Sequence, residues 1–173
     1  MDAIIEFIKI LVPASIVLYA AYLLVRSFLA KEIELKKLEI RGRSIESVLP
    51  MRLQAYERMC LFLERISPQN LLVRLSVGPI PSKEFHQVLL NEIRSEYNHN
   101  VSQQVFMSEI VWEHIKNAKE DLVMTINDAA SEMGLESSSL ELSKKIFERY
   151  INKPVDPVAY ALSQLKQEIQ QVF

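Results

Sequence analysis

Residues 10–25, ILVPASIVLYAAYLLV, are sixteen consecutive positions without a charge. Arg26 interrupts, and Ser27, Phe28, Leu29 and Ala30 then carry the apolar character to Lys31. Residues 10–30 reach about 31 Å as a helix, close to the thickness of a bilayer's hydrocarbon core. Lys9 and Arg26 are long enough to carry their charges outward, and Pro13 falls in the first turn of the stretch, where a missing N–H costs little. Two other readings compete. A cleaved signal peptide wants a basic start, whereas this chain begins Met-Asp-Ala-Ile-Ile-Glu and offers no clear small-x-small cleavage site. A core helix of so short a chain would not be apolar on every face for more than four turns. A single membrane span fits better than either.

The flanks predict its orientation. Asp2, Glu6 and Lys9 precede the span, while Arg26, Lys31, Lys36, Lys37, Arg41 and Arg43 follow it. Basic residues near a membrane end remain cytoplasmic and acidic ones contribute little, so the expectation is the inner (cytoplasmic) membrane, N-terminus out, with the C-terminal domain in the cytoplasm. The lone Cys60 agrees with a reducing compartment.

Composition narrows the remainder. With 3 Gly and 7 Pro in 173 residues, a turn-rich all-β sandwich or barrel is not expected. The net charge of −2 supplies no global field for nucleic acid, and none is expected as a partner. One cysteine forms no internal disulfide, and with three scattered histidines it makes no zinc spacing.

The sequence therefore predicts an all-α protein in three parts: a transmembrane anchor over residues 1–31, a helical stalk over 32–49, and a cytoplasmic multi-helix bundle over 50–173. In the stalk, Leu35, Leu38, Gly42, Ile45 and Leu49 recur every three or four residues, a heptad-like stripe too short for a coiled coil. Pro50 suits the first turn of a new helix to about Ile66, with Leu53, Tyr56, Cys60, Leu63 and Ile66 inward and Met59 and Phe62 beside them. Ser67-Pro68 opens a short helical turn, and residues 76–81 (SVGPIP) form a loop. Ser82 caps a helix carrying Phe85, Leu89, Ile93 and Tyr97. Residues 101–107 suggest a short extended piece. Ser108 then caps a helix to about Met133, with Val111, Ile115, Ala118, Leu122, Ile126, Ala129 and Met133 on one face and Gly134 as its C-terminal cap. Ser138 and Glu141 have capping-box spacing, and the helix they start points Leu140, Phe147 and Tyr150 inward. Asp156-Pro157 starts the last helix, with Val158, Leu162, Leu165, Ile169 and Val172 on one face.

No motif carries chemistry convincingly. Ser163-Gln-Leu-Lys166 matches S-x-x-K but lacks the companion motifs of acylating enzymes. Glu96-x-x-His99, with Glu92 one turn earlier, resembles half of a di-iron carboxylate pattern, but the second half is absent, since Val111 precedes His114 at that spacing. Three glycines cannot build a phosphate cradle, and Cys60 on an apolar stripe reads as packing. Arg52, Arg58, Arg65 and Arg74 give the first soluble helices a basic tilt that suits either headgroups or solvent. No catalytic residue, metal ligand or cofactor site is expected. The stretch from Tyr97 to Gln104 (YNHNVSQQ) concentrates amides, a hydroxyl and an imidazole between two long helices. Tyr97, His99, Asn100, Gln103 and Gln104 are thus the candidates for a partner contact or for ordering the helix junction.

The phrases YERMCLFLERISPQNLLVRL (residues 56–75), EIRSEYNHNVSQQVFMS (92–108) and WEHIKNAKE (112–120) resemble an uncharacterised family of small single-pass membrane-anchored proteins of Bacteroidota. The likeness covers most of the chain. It implies an anchor followed by a helical cytoplasmic region and supplies no activity and no catalytic residues. The functional expectation is a non-enzymatic scaffold or accessory subunit, held by one integral span and acting on a protein partner or a second copy of itself. The alternative is a membrane-bound enzyme or ligand sensor with a polar site near His99.

Overall fold

The fold, seen in a computed structural model, is all-α. The structure describes residues 2–76, 78 and 80–172; the side chains of residues 2–7, 10, 41, 43–45 and 172 lie outside that description. Among the sequence expectations this leaves Val77 and Pro79 of the loop outside it. It also leaves out the side chains of Ile10, Ile45 and Val172 and of the flanking Asp2, Glu6, Arg41 and Arg43. Six α-helices follow one another, α1 (Asp2–Ile66), α2 (Pro68–Leu75), α3 (Ser82–Asn100), α4 (Glu109–Ser131), α5 (Ser139–Ile151) and α6 (Pro157–Val172), with a 3-10 segment, Val101–Phe106, between α3 and α4. No strand occurs among the described residues.

The chain divides into two compact units, Met1–Leu49 and Pro50–Phe173. In the first, Leu11–Ile40 is apolar and long enough to cross a membrane, a property shared with signal sequences. None of its most apolar window is buried by protein, and Ile16, Val17, Leu18, Leu24 and Phe28 all stand exposed. Tyr19 and Tyr22 stack on each other with ring centroids 6.5 Å apart.

A break at Pro50 does not occur: α1 runs through it. Proline removes one N–H and so one bond to the carbonyl four residues back, but its fixed φ is itself helical, and no glycine or second proline stands within seven residues on either side.

The second unit closes around one core. The C-terminal part of α1 contributes Ala55, Tyr56, Met59, Phe62, Leu63 and Ile66, all buried, whereas Leu53 is exposed and Cys60 half-buried. The inward face is thus rotated from the one expected, toward the bulkier Met59 and Phe62. Phe85, Leu89 and Ile93 of α3 and Val111, Ile115, Ala118, Leu122, Ile126 and Ala129 of α4 fill the centre as the helical period requires. Helix α4 packs against α3, α5 and α6, and α2 against α3 and α5. In α5 the buried residues are Leu142, Ile146 and Tyr150. Leu140 points outward at 60% exposure, because it lies about 200° around the helix from Leu142, on the side opposite the buried residues.

Several ends differ from expectation in instructive ways. The N-cap of α3 is Pro81, while Ser82 is buried in the first turn and its N–H donates to the Ser137 carbonyl at 2.8 Å. Ser139 N–H returns a bond to Ile80 O at 2.9 Å, so the loops before α3 and α5 clasp each other as an isolated bridge. Ser67 stands at the start of α2, but its hydroxyl donates backward to Glu64 O at 2.8 Å instead of capping. Gly134 is not the cap of α4; Glu132 is, and the only left-handed glycine among the described residues is Gly78, at φ 135°. Residues 101–106 wind as a 3-10 helix, not an extended piece. Ser138 and Glu141 form the full reciprocal capping box, and Asp156 Oδ1 accepts the Val158 and Ala159 N–H groups at 2.9 Å each.

Candidate functional site

The five residues expected at the α3–α4 junction do not converge. Tyr97 lies half-buried between Phe62 and Trp112, at centroid distances of 6.1 and 5.9 Å, and the Lys119 ammonium sits 4.3 Å from its ring centre. Burial pushes its phenol up, against a smaller opposing pull from Lys116. Asn100, the last residue of α3, is buried and donates its amide to Glu96 O at 2.8 Å, closing the helix end. Gln103 donates to Ser102 Oγ at 3.3 Å, whereas His99 and Gln104 face solvent. Tyr97 and Asn100 order the junction from inside, and His99 and Gln104 present an exposed polar face.

Below this junction lies a polar cluster that sequence inspection does not reveal. Tyr56 is 1% exposed, and its hydroxyl donates to Glu168 Oε1 at 2.7 Å while accepting from Arg52 at 2.8 Å. Glu168 also takes the Ser108 N–H at 3.0 Å and the Ser108 hydroxyl, and Arg52 Nε donates to Phe106 O at 3.3 Å. The Glu168 carboxylate thereby ties α6 to α1 and to the start of α4, and Arg52 adds the end of the 3-10 segment. Burial pushes the Glu168 carboxyl up, but the bonds from Ser108 and Tyr56 and the nearby Arg52 charge outweigh it and hold it below the usual carboxylate range. For Tyr56, burial and the Glu168 bond both push the phenol up, so it remains a neutral donor. A tyrosine inside an apolar stripe needs a partner for its hydroxyl, which is the only advance signal of this cluster.

The Glu-x-x-His fragment is occupied otherwise. Glu96 accepts from Arg65 Nε at 2.6 Å, and Glu92 pairs with Arg74 and more distantly with Arg65 at 3.7 Å. These pairs join α1, α2 and α3, so Arg65 and Arg74 serve the bundle directly. Among the described residues no three His, Cys, Asp or Glu side chains group as metal ligands do. Cys60 is half-buried against the core and burial pushes its thiol up, away from the thiolate that a nucleophile needs.

Two larger hollows open on the second unit. One, of about 490 Å³, is mostly apolar and lies between α2 and α5, lined by Pro68, Leu72, Val73 and Phe147 with Gln69 and Lys144 at its margin. The other, of about 470 Å³, lies between α4 and the α5–α6 connection and is lined by His114, Asn117, Asp121, Lys153, Val155 and Tyr160 among others. His99 lines neither.

An apolar N-terminal helix followed by a helical bundle, several of whose charged side chains join one helix to another, defines an all-α module. The chain belongs to the Family of unknown function (DUF7935), whose family model matches residues 2–172. No curated protein and no solved structure matches it.

Proposed function

We propose that this protein is a membrane-anchored, non-enzymatic scaffold or accessory subunit that works through protein contacts. The observation that supports it best is the contrast in burial. No residue in the most apolar window of Leu11–Ile40 is buried, while the bundle encloses its own apolar core and pairs charged side chains between its helices. Apolar surface of that extent is stable only against lipid or another protein. The Lys and Arg residues after residue 25 favour an inner-membrane helix with the N-terminus out and the bundle in the cytoplasm, in a bacterium of the Bacteroidota type that the resemblance implies. On this reading the exposed His99 and Gln104 belong to the face offered to the partner, and Tyr97, Asn100 and Gln103 hold that face in shape.

The test is gentle detergent extraction of a C-terminally tagged chain from native membranes, with mass spectrometry of whatever co-purifies and a topology reporter fused after Phe173. A stoichiometric companion, lost on replacing His99 and Gln104 with alanine, together with a reporter active only in the cytoplasm, is the expected result. A chain released by alkaline carbonate, or one purified alone as a monomer, would overturn the reading. A homogeneous dimer that dissociates when Leu35 and Leu38 are replaced would redirect it to self-assembly.

A further inference from the structure

We propose that the hollow between α4 and the α5–α6 connection is a binding site for a small, uncharged ligand that joins a flat heterocycle to a sugar with vicinal hydroxyls, a nucleoside-type molecule without phosphate. The inference goes beyond the scaffold reading and does not depend on it.

The site is assembled from one helix face and one braced loop. His114, Asn117, Ala118 and Asp121 follow at intervals of three, four and seven residues on α4, which places all four on one face over about 10 Å. The opposite wall is Lys153, Pro154 and Val155 of the connection, with Pro157 and Tyr160 of the first turn of α6. Both ends of that connection are pinned. The Lys153 ammonium pairs with Asp121 and donates to Thr125 Oγ1 at 2.6 Å, while Asp156 accepts the buried Tyr150 hydroxyl and the N–H groups of Val158 and Ala159. With Pro154 and Pro157 as well, the wall has little freedom to lose when a ligand arrives, which is the condition for a preformed pocket. A volume of about 470 Å³ is in the range of small-molecule sites.

The lining chemistry selects the ligand. At one end the Tyr160 ring, 46% exposed, meets the His114 imidazole edge to face, with centroids 5.1 Å apart and planes at 88°. Such a corner offers an aromatic surface against which a flat heterocycle can stack. Asn117, on the adjoining turn, carries both a donor and an acceptor, the pair that reads the edge of a nucleobase. Two turns away, the Asp121 carboxylate stays 41% exposed despite its bond to Lys153, and a carboxylate of this kind accepts from neighbouring sugar hydroxyls. The distance from His114 to Asp121 along α4 suits the length of a base joined to a ribose. Phosphate is disfavoured because the one ammonium on the wall is already taken by Asp121 and Thr125.

Titration calorimetry on the purified full-length protein in detergent micelles tests this with adenosine, guanosine, cytidine and uridine as probes. At least one of them is expected to bind saturably at submillimolar concentration. Tyr160→Leu and Asn117→Ala, both surface changes whose folding a thermal melt can verify, are expected to weaken that binding tenfold or more. Asp121→Asn leaves an amide oxygen that still accepts and also disturbs the Lys153 pair, so the contact is tested on the unaltered protein: the 2′,3′-dideoxynucleoside should bind at least fivefold more weakly. The corresponding monophosphate should bind no more tightly than the nucleoside. Absence of saturable binding for all four probes overturns the proposal, as does binding that both Tyr160→Leu and Asn117→Ala leave unchanged, or tighter binding of tryptophan than of any nucleoside.

Discussion

One helix, α1, carries apolar side chains of the same kind at its two ends and treats them in opposite ways. Phe28 is 68% exposed and Phe62 is 1% exposed. The difference follows from what stands between the apolar residues. Over residues 10–25 nothing polar enough to set a direction intervenes, so every face is equally oily and no single face can be turned toward a protein core. Over residues 50–66, Arg52, Arg58 and Arg65 alternate with Tyr56, Met59, Phe62 and Ile66, giving the helix a wet side and a dry side. Arg52 and Arg65 then find partners on other elements, Phe106 O and Glu96, which fixes where the dry side points. Apolarity without periodicity demands an apolar solvent; apolarity with it demands a partner helix.

The comparison is broken most directly at the two phenylalanines. Phe62→Ala should destabilise the bundle by about 3–5 kcal/mol, because a buried ring is lost and a cavity remains. Phe28→Ala should leave the bundle's unfolding midpoint unchanged. Chemical denaturation followed by Trp112 fluorescence reads both, and equal effects would mean that residues 1–49 and the bundle do not obey separate rules. The second test reverses the roles. Val17→Arg at the middle of the apolar run should oppose membrane insertion by about 2.5–3.5 kcal/mol, read as the fraction of chain resistant to carbonate extraction. Leu61→Arg, at a position 54% exposed on the bundle side of the same helix, should change stability by no more than about 0.5 kcal/mol.

A third test concerns what directs the dry side. Glu168→Gln keeps the shape of the side chain but weakens a carboxylate that accepts from Tyr56 and twice from Ser108, and should cost about 1–2 kcal/mol at neutral pH. The sign of the pH dependence is fixed by the direction of its shift. The folded-state value lies below the ordinary 4.5, so the unfolded chain takes up the proton first as the solution is acidified. The stabilisation is complete above the ordinary value and disappears as pH falls through the lower folded-state value. Unfolding titrations between pH 7 and 3 should therefore show a fall in the unaltered protein that Glu168→Gln makes shallower. A steeper fall in the variant would remove Glu168 from this role.

How far the sequence discloses these arrangements depends on the range of the interaction. The apolar run, the stripe Val111-Ile115-Ala118-Leu122-Ile126-Ala129 and the Ser138–Glu141 box are set by neighbours within a turn or two, and each is legible from spacing alone. Leu140 is misjudged although its cap falls where expected, because it lies about 200° around the helix from Leu142, and the face that buries Leu142, Ile146 and Tyr150 turns it outward. The loop clasp between Ser82 and Ser137 and the bonds from Tyr56 and Ser108 to Glu168 join residues 55 to 112 positions apart, and no local pattern encodes them. Among the junction residues, Tyr97 and Asn100 were marked by composition, yet their roles depend on Phe62, Trp112 and the end of α3, which only folding brings together.

The smallest expected effect compares two serines whose hydroxyls both bond to backbone nearby. Ser138 caps α5: its oxygen accepts from Glu141 N–H at 3.3 Å, while the Glu141 carboxylate accepts from Ser138 N–H at 2.8 Å. Those N–H groups have no partner within the helix, so Ser138→Ala should cost about 1 kcal/mol. Ser15 lies inside the apolar run and donates to Leu11 O at 2.8 Å, a carbonyl already engaged by the helix. Ser15→Ala removes a bond no backbone group needed and makes the run more apolar, so it should leave bundle stability unchanged and raise the membrane-bound fraction slightly. If Ser15→Ala instead lowered that fraction, the hydroxyl would be meeting a polar group outside its own helix. The run would then face another protein within the membrane rather than lipid on all sides.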